Sequence, residues 1–282
     1  MNLINVQLSG LMSDVNRFTA APIRSLTRFP STIPGQVALL REGLVARDLA
    51  RCLTSDVYRH PQKVGDGQSL PVLILPGLFA GDGSLRMLAH WLTRSGYKPR
   101  RSGIVSNIDC SEKAIADLER RLRTIYEEEG RKVVLLGHSR GGLLAHVLAV
   151  RCPELIAGVI TMGTPHIQTL ANTNSFLRHQ IDMLAYFGDF GIAGIFGHGC
   201  RYDGCCEKFW QDLERWPAKG VPFLSLYSDS DVIVSPQSCQ DAHARNHRVD
   251  STHIGMAVNP DVYEEISGEL LRLGRKQAKI TA

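Results

Sequence analysis

From about residue 70 the chain alternates between short apolar runs and longer stretches in which apolar residues return every three or four positions. Pro71–Leu75, Val133–Leu136, Leu155–Met162 and Pro222–Tyr227 have the short, mostly apolar character of strands buried on both faces of a parallel sheet. Lys98–Val105 and Arg245–Val249 are more polar strand candidates. Between them, Leu85–Leu92, the stretch from Ser111 through Ile115, Leu118, Leu122 and Ile125 to Gly130, Leu143–Val150 and Asp261–Leu273 carry helical spacing. Strand and helix in strict alternation predict an α/β domain, with a mostly parallel sheet covered by helices on both faces.

Two regions break the rhythm. Residues 1–65 precede it and read as an N-terminal helical extension. One helical pattern runs through Leu8, Leu11, Met12, Val15 and Phe18. Pro22, Pro30 and Pro34 interrupt, and a second runs through Val37, Leu40, Leu44, Ala46 and Leu49. Stripes at this spacing face a core, so the expectation is packing against the main domain (66–282) rather than an arm that docks on a membrane. Asp66-Gly67 marks the boundary turn. The second exception lies between Pro165 and Val221, more chain than one crossover helix needs. It holds Phe176, Leu184, Tyr186, Phe187, Phe190, Ile192, Ile195 and Phe196 among many glycines, and it predicts a cap at about 166–220. An apolar cap suits an apolar substrate.

The length of 282 residues suits one large domain or two small ones and buries a sizeable core. The net charge of +4, with no long basic run, argues against nucleic acid as a partner. An anionic partner or a membrane surface would have only this small charge to act through. The first ten residues lack a charged start and a long apolar run, so neither a secretory signal nor a spanning segment is expected. The cytoplasm is then the expected location, with the seven cysteines mostly reduced. His198, Cys200, Cys205 and Cys206 lie close together in the cap segment. The C-x₂-C spacing of zinc sites is missing and adjacent cysteines are awkward ligands, so no metal is expected. A disulfide from this group to Cys239 is the alternative to free thiols.

The chemistry centres on Gly137-His138-Ser139-Arg140-Gly141-Gly142, which lies between a buried strand and a helix. That is the nucleophile-elbow pattern G-x-S-x-G, whose sharp turn lifts a serine hydroxyl above the sheet. A serine needs a base to take its proton and an anion to orient that base, and in this topology they follow in the order acid, histidine. Two aspartates compete for the first role after strand 222–227. Asp231, in the spacing D-x-x-V-x-P, is preferred over Asp229, which reads as a turn carboxylate. His253, in the loop before the last helix, is preferred over His247 and His243. His138 is an elbow residue that cannot easily turn back to Ser139. The oxyanion donors are expected to be the backbone N–H groups of Arg140 and of Leu78, after Gly77, with Phe79 the runner-up. Phe79 and His166 are expected to line the substrate site, His166 because it follows the carboxyl end of a strand.

These motifs together resemble the α/β-hydrolase superfamily, in its bacterial serine esterase/lipase-like branch. The resemblance covers residue 70 to the end and rests on Leu75-Pro76-Gly77-Leu78, the elbow, Gly163-Thr164-Pro165-His166 and the loops of Asp231 and His253. It implies an eight-stranded, mostly parallel sheet and hydrolysis through an acyl-enzyme, with no cofactor. Pro76 departs from relatives that carry a histidine before the glycine. The resemblance does not cover residues 1–65. The expected activity is cleavage of small-molecule carboxylic esters with hydrophobic or acyl groups. An acyltransferase or thioesterase could use the same triad, and a non-catalytic binding protein could use the same scaffold. Dehalogenases and epoxide hydrolases of this fold use an aspartate nucleophile and are disfavoured.

Overall fold

A computed structural model describes residues 44–63, 69–166, 175–189, 194–200, 204–215 and 220–281. The first predicted helix, Leu8–Phe18, lies outside them. All described residues belong to one compact unit, Thr32–Ala282.

Six strands form one sheet: β1 (Pro71–Leu75), β2 (Lys98–Arg101), β3 (Val133–His138), β4 (Ile156–Met162), β5 (Phe223–Tyr227) and β6 (Arg245–Arg248). Their order is β2-β1-β3-β4-β5-β6, and every pairing is parallel. The resemblance implied eight strands; the described residues hold six. Helices α1 (Val45–Thr54), α2 (Asp56–Arg59), α3 (Arg86–Arg94), α4 (Ser111–Glu129), α5 (Arg140–Arg151), α6 (Ser175–Asp189), α7 (Glu207–Leu213), α8 (Pro236–Cys239) and α9 (Pro260–Thr281) connect and cover them.

Alternation along each strand divides the core between the two faces. Val72, Ile74, Leu136, Ile160 and Leu226 face Leu88 and Trp91 of α3 and Tyr263 and Leu270 of α9. Leu73, Leu75, Val133, Leu135 and Val159 face Ile115, Leu118 and Leu122 of α4 and Leu144 and Leu148 of α5. Each fully buried leucine or isoleucine contributes about 1.5–3 kcal/mol. Helix α5 is buried along its length from Gly141 to Ala149, which is why its sequence is apolar all round.

The two polar strand candidates are the edges of the sheet. In β2, Lys-Pro-Arg-Arg pairs with α4 through Lys98–Glu129 and Arg100–Glu129 at 2.6 and 2.8 Å. In β6, Arg245 reaches Glu265 and Glu269 of α9. Charged edges resist pairing with another chain, and they explain why these strands carry the faintest apolar pattern.

Helix α1 covers part of the second N-terminal pattern. Its Asp48 is buried and accepts a 2.9 Å bond from the Ser251 hydroxyl, while Arg51 pairs with Asp261 at 3.1 Å. Just beyond α1, the Val57 carbonyl accepts a 2.7 Å bond from the Trp91 indole. This helix therefore braces the loop that carries His253.

Candidate active site

The strand order reverses between β1 and β3, because the chain passes from β1 to β2 on one side and then to β3 on the other. Ligands of open α/β sheets gather at the carboxyl ends of such a switch point. The elbow and the Gly77 loop are the two turns that flank it.

β3 ends at His138 and α5 begins at Arg140, leaving Ser139 between them at φ 52° and ψ −121°. Positive φ is costly for a serine, by about 1–3 kcal/mol, and persists only where the surroundings enforce it. Here the Ser139 N–H donates to the Met162 carbonyl at 2.9 Å. The Ser139 carbonyl accepts from the Gly142 N–H at 2.9 Å and from the Thr164 hydroxyl at 3.0 Å. The turn is too tight for side chains at its glycines. A Cβ on Gly137 would sit 2.5 Å from the backbone of Gly141 and Gly142, and one on Gly141 would overlap the Leu75 carbonyl. Gly137→Ala should therefore lower the free energy of unfolding by about 1–3 kcal/mol or more, measured by urea denaturation. An unchanged midpoint would mean that the turn is looser than this packing requires.

Asp231 and His253 meet from two loops. His253 Nδ1 lies 2.6 Å from Asp231 Oδ2, and both residues are buried. The other carboxylate oxygen, Oδ1, accepts the N–H groups of Ile233 (2.9 Å) and Val234 (2.8 Å). Those two bonds are the physical content of the D-x-x-V spacing. Gly163, at φ +56°, forms the floor beneath the pair: a Cβ there would stand 3.0 Å from His253 Nδ1 and 3.3 Å from Asp231 Oδ2. One peptide thus joins the two halves of the site. Its Met162 carbonyl holds the Ser139 N–H, and its Gly163 lies against the His253 ring. The competing residues stand elsewhere. Asp229 is exposed and pairs with Arg248 at 3.0 Å, and His247 faces Glu265 at 3.5 Å.

His138 turns away from Ser139 and serves the histidine loop. Its Nε2–H donates to the His253 carbonyl at 2.9 Å, and its ring stacks at 4.9 Å from that of His253. Burial first, and the neighbouring His253 second, pull its pKa down to about 4. Burial likewise pulls His166 down to about 3, with His146 adding to it. Both rings are neutral in the folded chain, whereas in the unfolded chain they titrate near 6.5. Below that value the unfolded state takes up protons that the folded state refuses. Their contribution to stability is thus fully present above pH 6.5 and falls as pH drops toward 4. The slope is at most about 1.4 kcal/mol per pH unit for each ring. Urea midpoints measured across this range should fall with acid, and less steeply in His166→Gln; equal slopes would contradict this assignment.

The Gly77 loop lies directly over the elbow. A Cβ on Gly77 would sit 3.1 Å from His138 Nδ1 and 3.3 Å from Ser139 Cβ. Phe79 has a positive φ of 61° and an exposed side chain, while Leu78 packs against Ile181 and Ala185 of α6 and against Phe196. Two residues whose side chains sequence reasoning left without a role lock this region. The Asn107 amide donates to the Pro76 carbonyl at 2.6 Å. The Arg140 guanidinium donates to the carbonyls of Asn107 (2.7 Å) and Asp109 (2.8 Å) and to the Ser111 hydroxyl (2.9 Å). The side chain of Arg140 is therefore a half-buried strut, and its backbone N–H is at the first turn of α5. No short motif marks Asn107, since its partners lie some thirty positions away in sequence.

His166, expected to line the substrate site, takes a different direction. Its Nε2 meets the Thr161 hydroxyl at 3.1 Å, and its ring packs edge-on to Phe223 at 5.2 Å and against His146 of α5. Phe223 opens β5, so the ring points back along the sheet, away from the strand ends. Within the cysteine group, His198 bonds instead to Asp189 at 2.5 Å. All seven cysteines are free thiols. The disulfide to Cys239, the alternative to the expected free thiols, is not formed: Cys239 is buried beside Asp231, and Cys205 and Cys206 lie against Cys110 instead.

The PGAP1-like alpha/beta domain matches residues 108–188 of this chain. A triacylglycerol lipase of Pseudarthrobacter phenanthrenivorans is 30% identical over 212 residues, covering 67% of this chain and 65% of that protein. A triacylglycerol lipase of Burkholderia plantarii is also 30% identical over 212 residues, covering 67% and 58%. Among solved structures, the mature form of a Bacillus licheniformis lipase superposes with a TM-score of 0.55 at 18% identity, covering 75% of this chain and 95% of the other. A soluble variant of the Saccharomyces cerevisiae monoglyceride lipase does so at 0.53 and 15%, covering 77% and 90%. The chain shares the α/β-hydrolase fold of these lipase structures. It spans 65% and 58% of the length of the two lipases that it matches in sequence. In this fold Ser139 follows β3, Asp231 follows β5 and His253 follows β6, each beyond the carboxyl end of its strand. No helix among the described residues is long and apolar enough to cross a membrane.

Proposed function

We propose that this protein is a serine hydrolase that cleaves carboxylic esters through an acyl-enzyme. Ser139 attacks the carbonyl carbon. His253 takes the serine proton and then returns it to the leaving alcohol. Asp231 holds the histidine in one tautomer and offsets its charge when it is protonated. The N–H groups of Leu78 and Arg140 receive the developing oxyanion. In the second half of the cycle His253 activates a water that releases the acid and restores Ser139. No step calls for a cofactor.

The observation that carries this reading is the buried 2.6 Å contact between His253 and Asp231, packed on Gly163 beside the strained Ser139 turn. A carboxylate held by two backbone N–H groups and one imidazole has little reason to be buried unless the imidazole must stay oriented. The two lipase relatives support an ester as the substrate class. We assign residues 66–282 to the hydrolase domain, residues 1–65 to an extension and about 166–220 to its cap. Leu78, Ile181, Ala185 and Phe196 place an apolar cluster beside the oxyanion loop, with Met183 and Tyr186 exposed on α6. Such a lining suits an acyl chain better than a charged group.

A panel of p-nitrophenyl esters of graded acyl length tests the reading. The expected result is a kcat/KM that rises with chain length over the first few additions, by up to roughly 10-fold per pair of methylenes. A preference confined to acetate would contradict the apolar lining, and no turnover of any ester or thioester would contradict the activity.

A further inference from the structure

Three cysteines of the cap converge on a fourth from the body of the domain. Cys110 Sγ lies 3.4 Å from Cys206 Sγ and 3.6 Å from Cys205 Sγ; Cys205 Sγ lies 3.0 Å from Cys200 Sγ and 3.8 Å from Cys206 Sγ. All four sulfurs fall within 4.8 Å of one another. We propose that Cys110, Cys200, Cys205 and Cys206 form a tetrathiolate site for a zinc-type divalent cation, which fastens the cap to the loop behind the elbow.

Geometry favours a cation over disulfides. Four sulfurs about 2.3 Å from a tetrahedral zinc stand about 3.8 Å apart. The four separations given above run from 3.0 Å up to that spacing, slightly contracted. The two shortest contacts, Cys200–Cys205 at 3.0 Å and Cys110–Cys206 at 3.4 Å, are both well beyond the roughly 2.05 Å of a disulfide, and Cys205 lies within reach of all three other sulfurs. The neighbouring Cys205 and Cys206, awkward on paper, are brought to one centre by a tight turn: Gly204 adopts φ +57°, and Gly204–Cys206 form a single 3₁₀ turn. Ninety residues separate Cys110 from the others, so no local spacing could announce the set.

The surroundings match what a thiolate cluster requires. Backbone N–H groups of Lys113 and Glu112, in the first turn of the nineteen-residue helix α4, point to Cys110 and Cys206, and that of Gly197 points to Cys200. N–H···S bonds of this kind orient metal-bound thiolates and spread their charge. Four thiolates and one divalent cation carry two net negative charges. The half-buried Arg140 guanidinium lies close enough to Cys206, Cys110 and Cys200 to offset part of that charge. The thiols shed their protons to solvent as the cation enters.

The mechanical consequence follows from position. Asp109 and Ser111, on either side of Cys110, both accept from Arg140, the residue after the nucleophile. On the other side, the Phe196 N–H donates to the Ile108 carbonyl at 2.8 Å. A cation at this cluster would thus fix residues 196–200 and 204–206 of the cap against the strut that supports Ser139.

The full chain, grown with zinc and purified without chelator or reductant, tests the site. Elemental analysis should find about one zinc per chain. Replacement by cobalt should give the visible bands of tetrahedral cobalt thiolate. Cys205→Ser, at an exposed position that folding tolerates, and Cys110→Ser should each lose most of the metal, while Cys152→Ala, outside the cluster, should keep it. Removal of zinc should lower the melting temperature. In denaturant with chelator, all seven cysteines should titrate as free thiols. Absence of zinc as purified together with no uptake by reduced protein would overturn the proposal. So would a thiol count short by an even number, or unchanged zinc in both serine variants. None of these outcomes bears on ester turnover by Ser139, so the two proposals stand or fall separately.

Discussion

Ser139→Ala will abolish turnover of p-nitrophenyl esters and leave the fold intact. The expected loss in kcat is roughly 10⁶-fold, the scale reached when the nucleophile of a serine hydrolase is removed. The reason lies in the division of labour. Without the hydroxyl there is no acyl-enzyme, and what remains is the oxyanion donors and binding, together worth roughly 10³–10⁴ over water. The fold should survive because the Ser139 bonds that hold the turn are made by its backbone, to Met162, Gly142 and Thr164. Circular dichroism and the urea midpoint should match the wild type. Retention of most of the turnover with an intact fold would refute the assignment of Ser139.

Asp231→Asn should cost about 10⁴-fold in kcat at neutral pH with little change in KM. The amide keeps the shape of the carboxylate but can present an N–H to His253 Nδ1, which favours the tautomer that cannot accept the serine proton. It also removes the charge that stabilises protonated His253. The two backbone N–H groups of Ile233 and Val234 hold the Asp231 oxygen that the substitution can retain as a carbonyl, so the loop should keep its conformation. The pH–rate profile separates this role from a structural one. Activity of the variant should recover partly at high pH, where hydroxide replaces the base. A loss equal at all pH values, with a lowered melting temperature, would point to a collapsed loop instead. Asp229→Asn provides the comparison and should leave turnover within about 2-fold, because Asp229 is exposed and pairs only with Arg248.

The fold was legible because its core strands are buried on both faces and therefore nearly continuous in apolar residues. Pro71–Leu75 and the run from Val133 appear in the structure at the positions that their pattern predicts. The candidate site was legible for a different reason. The elbow needs glycines where no Cβ fits, and such constraints are local in sequence. What could not be read were contacts between loops. His166 follows a strand end, yet its ring turns back toward His146 and Phe223, because a buried neutral histidine gains more from aromatic neighbours and Thr161 than from the open end of the sheet. Asn107 and the side chain of Arg140 lock three loops together at separations of thirty residues, and Asp48 supports the histidine loop from a distance of about two hundred. Cys110 joins Cys205 and Cys206 across more than ninety positions. Each of these contacts is decided by the crossing of chain segments in space, and no spacing rule along the chain encodes it.

The edge strands show the same limit in milder form. β2 and β6 carry arginine and lysine because one side of each faces solvent, and their charges are met by Glu129, Glu265 and Glu269 on neighbouring helices. A polar pattern there reflects position in the sheet and not a weaker commitment to strand.

The central claim is that Ser139 is an activated nucleophile, held beside the His253–Asp231 pair. Labelling the full chain with a fluorophosphonate and locating the adduct by peptide mass spectrometry tests it most directly. The account predicts one adduct per chain, on Ser139, lost in Ser139→Ala and slowed by several orders of magnitude in Asp231→Asn. Labelling of a different serine, or none under conditions where the protein is folded, would contradict it.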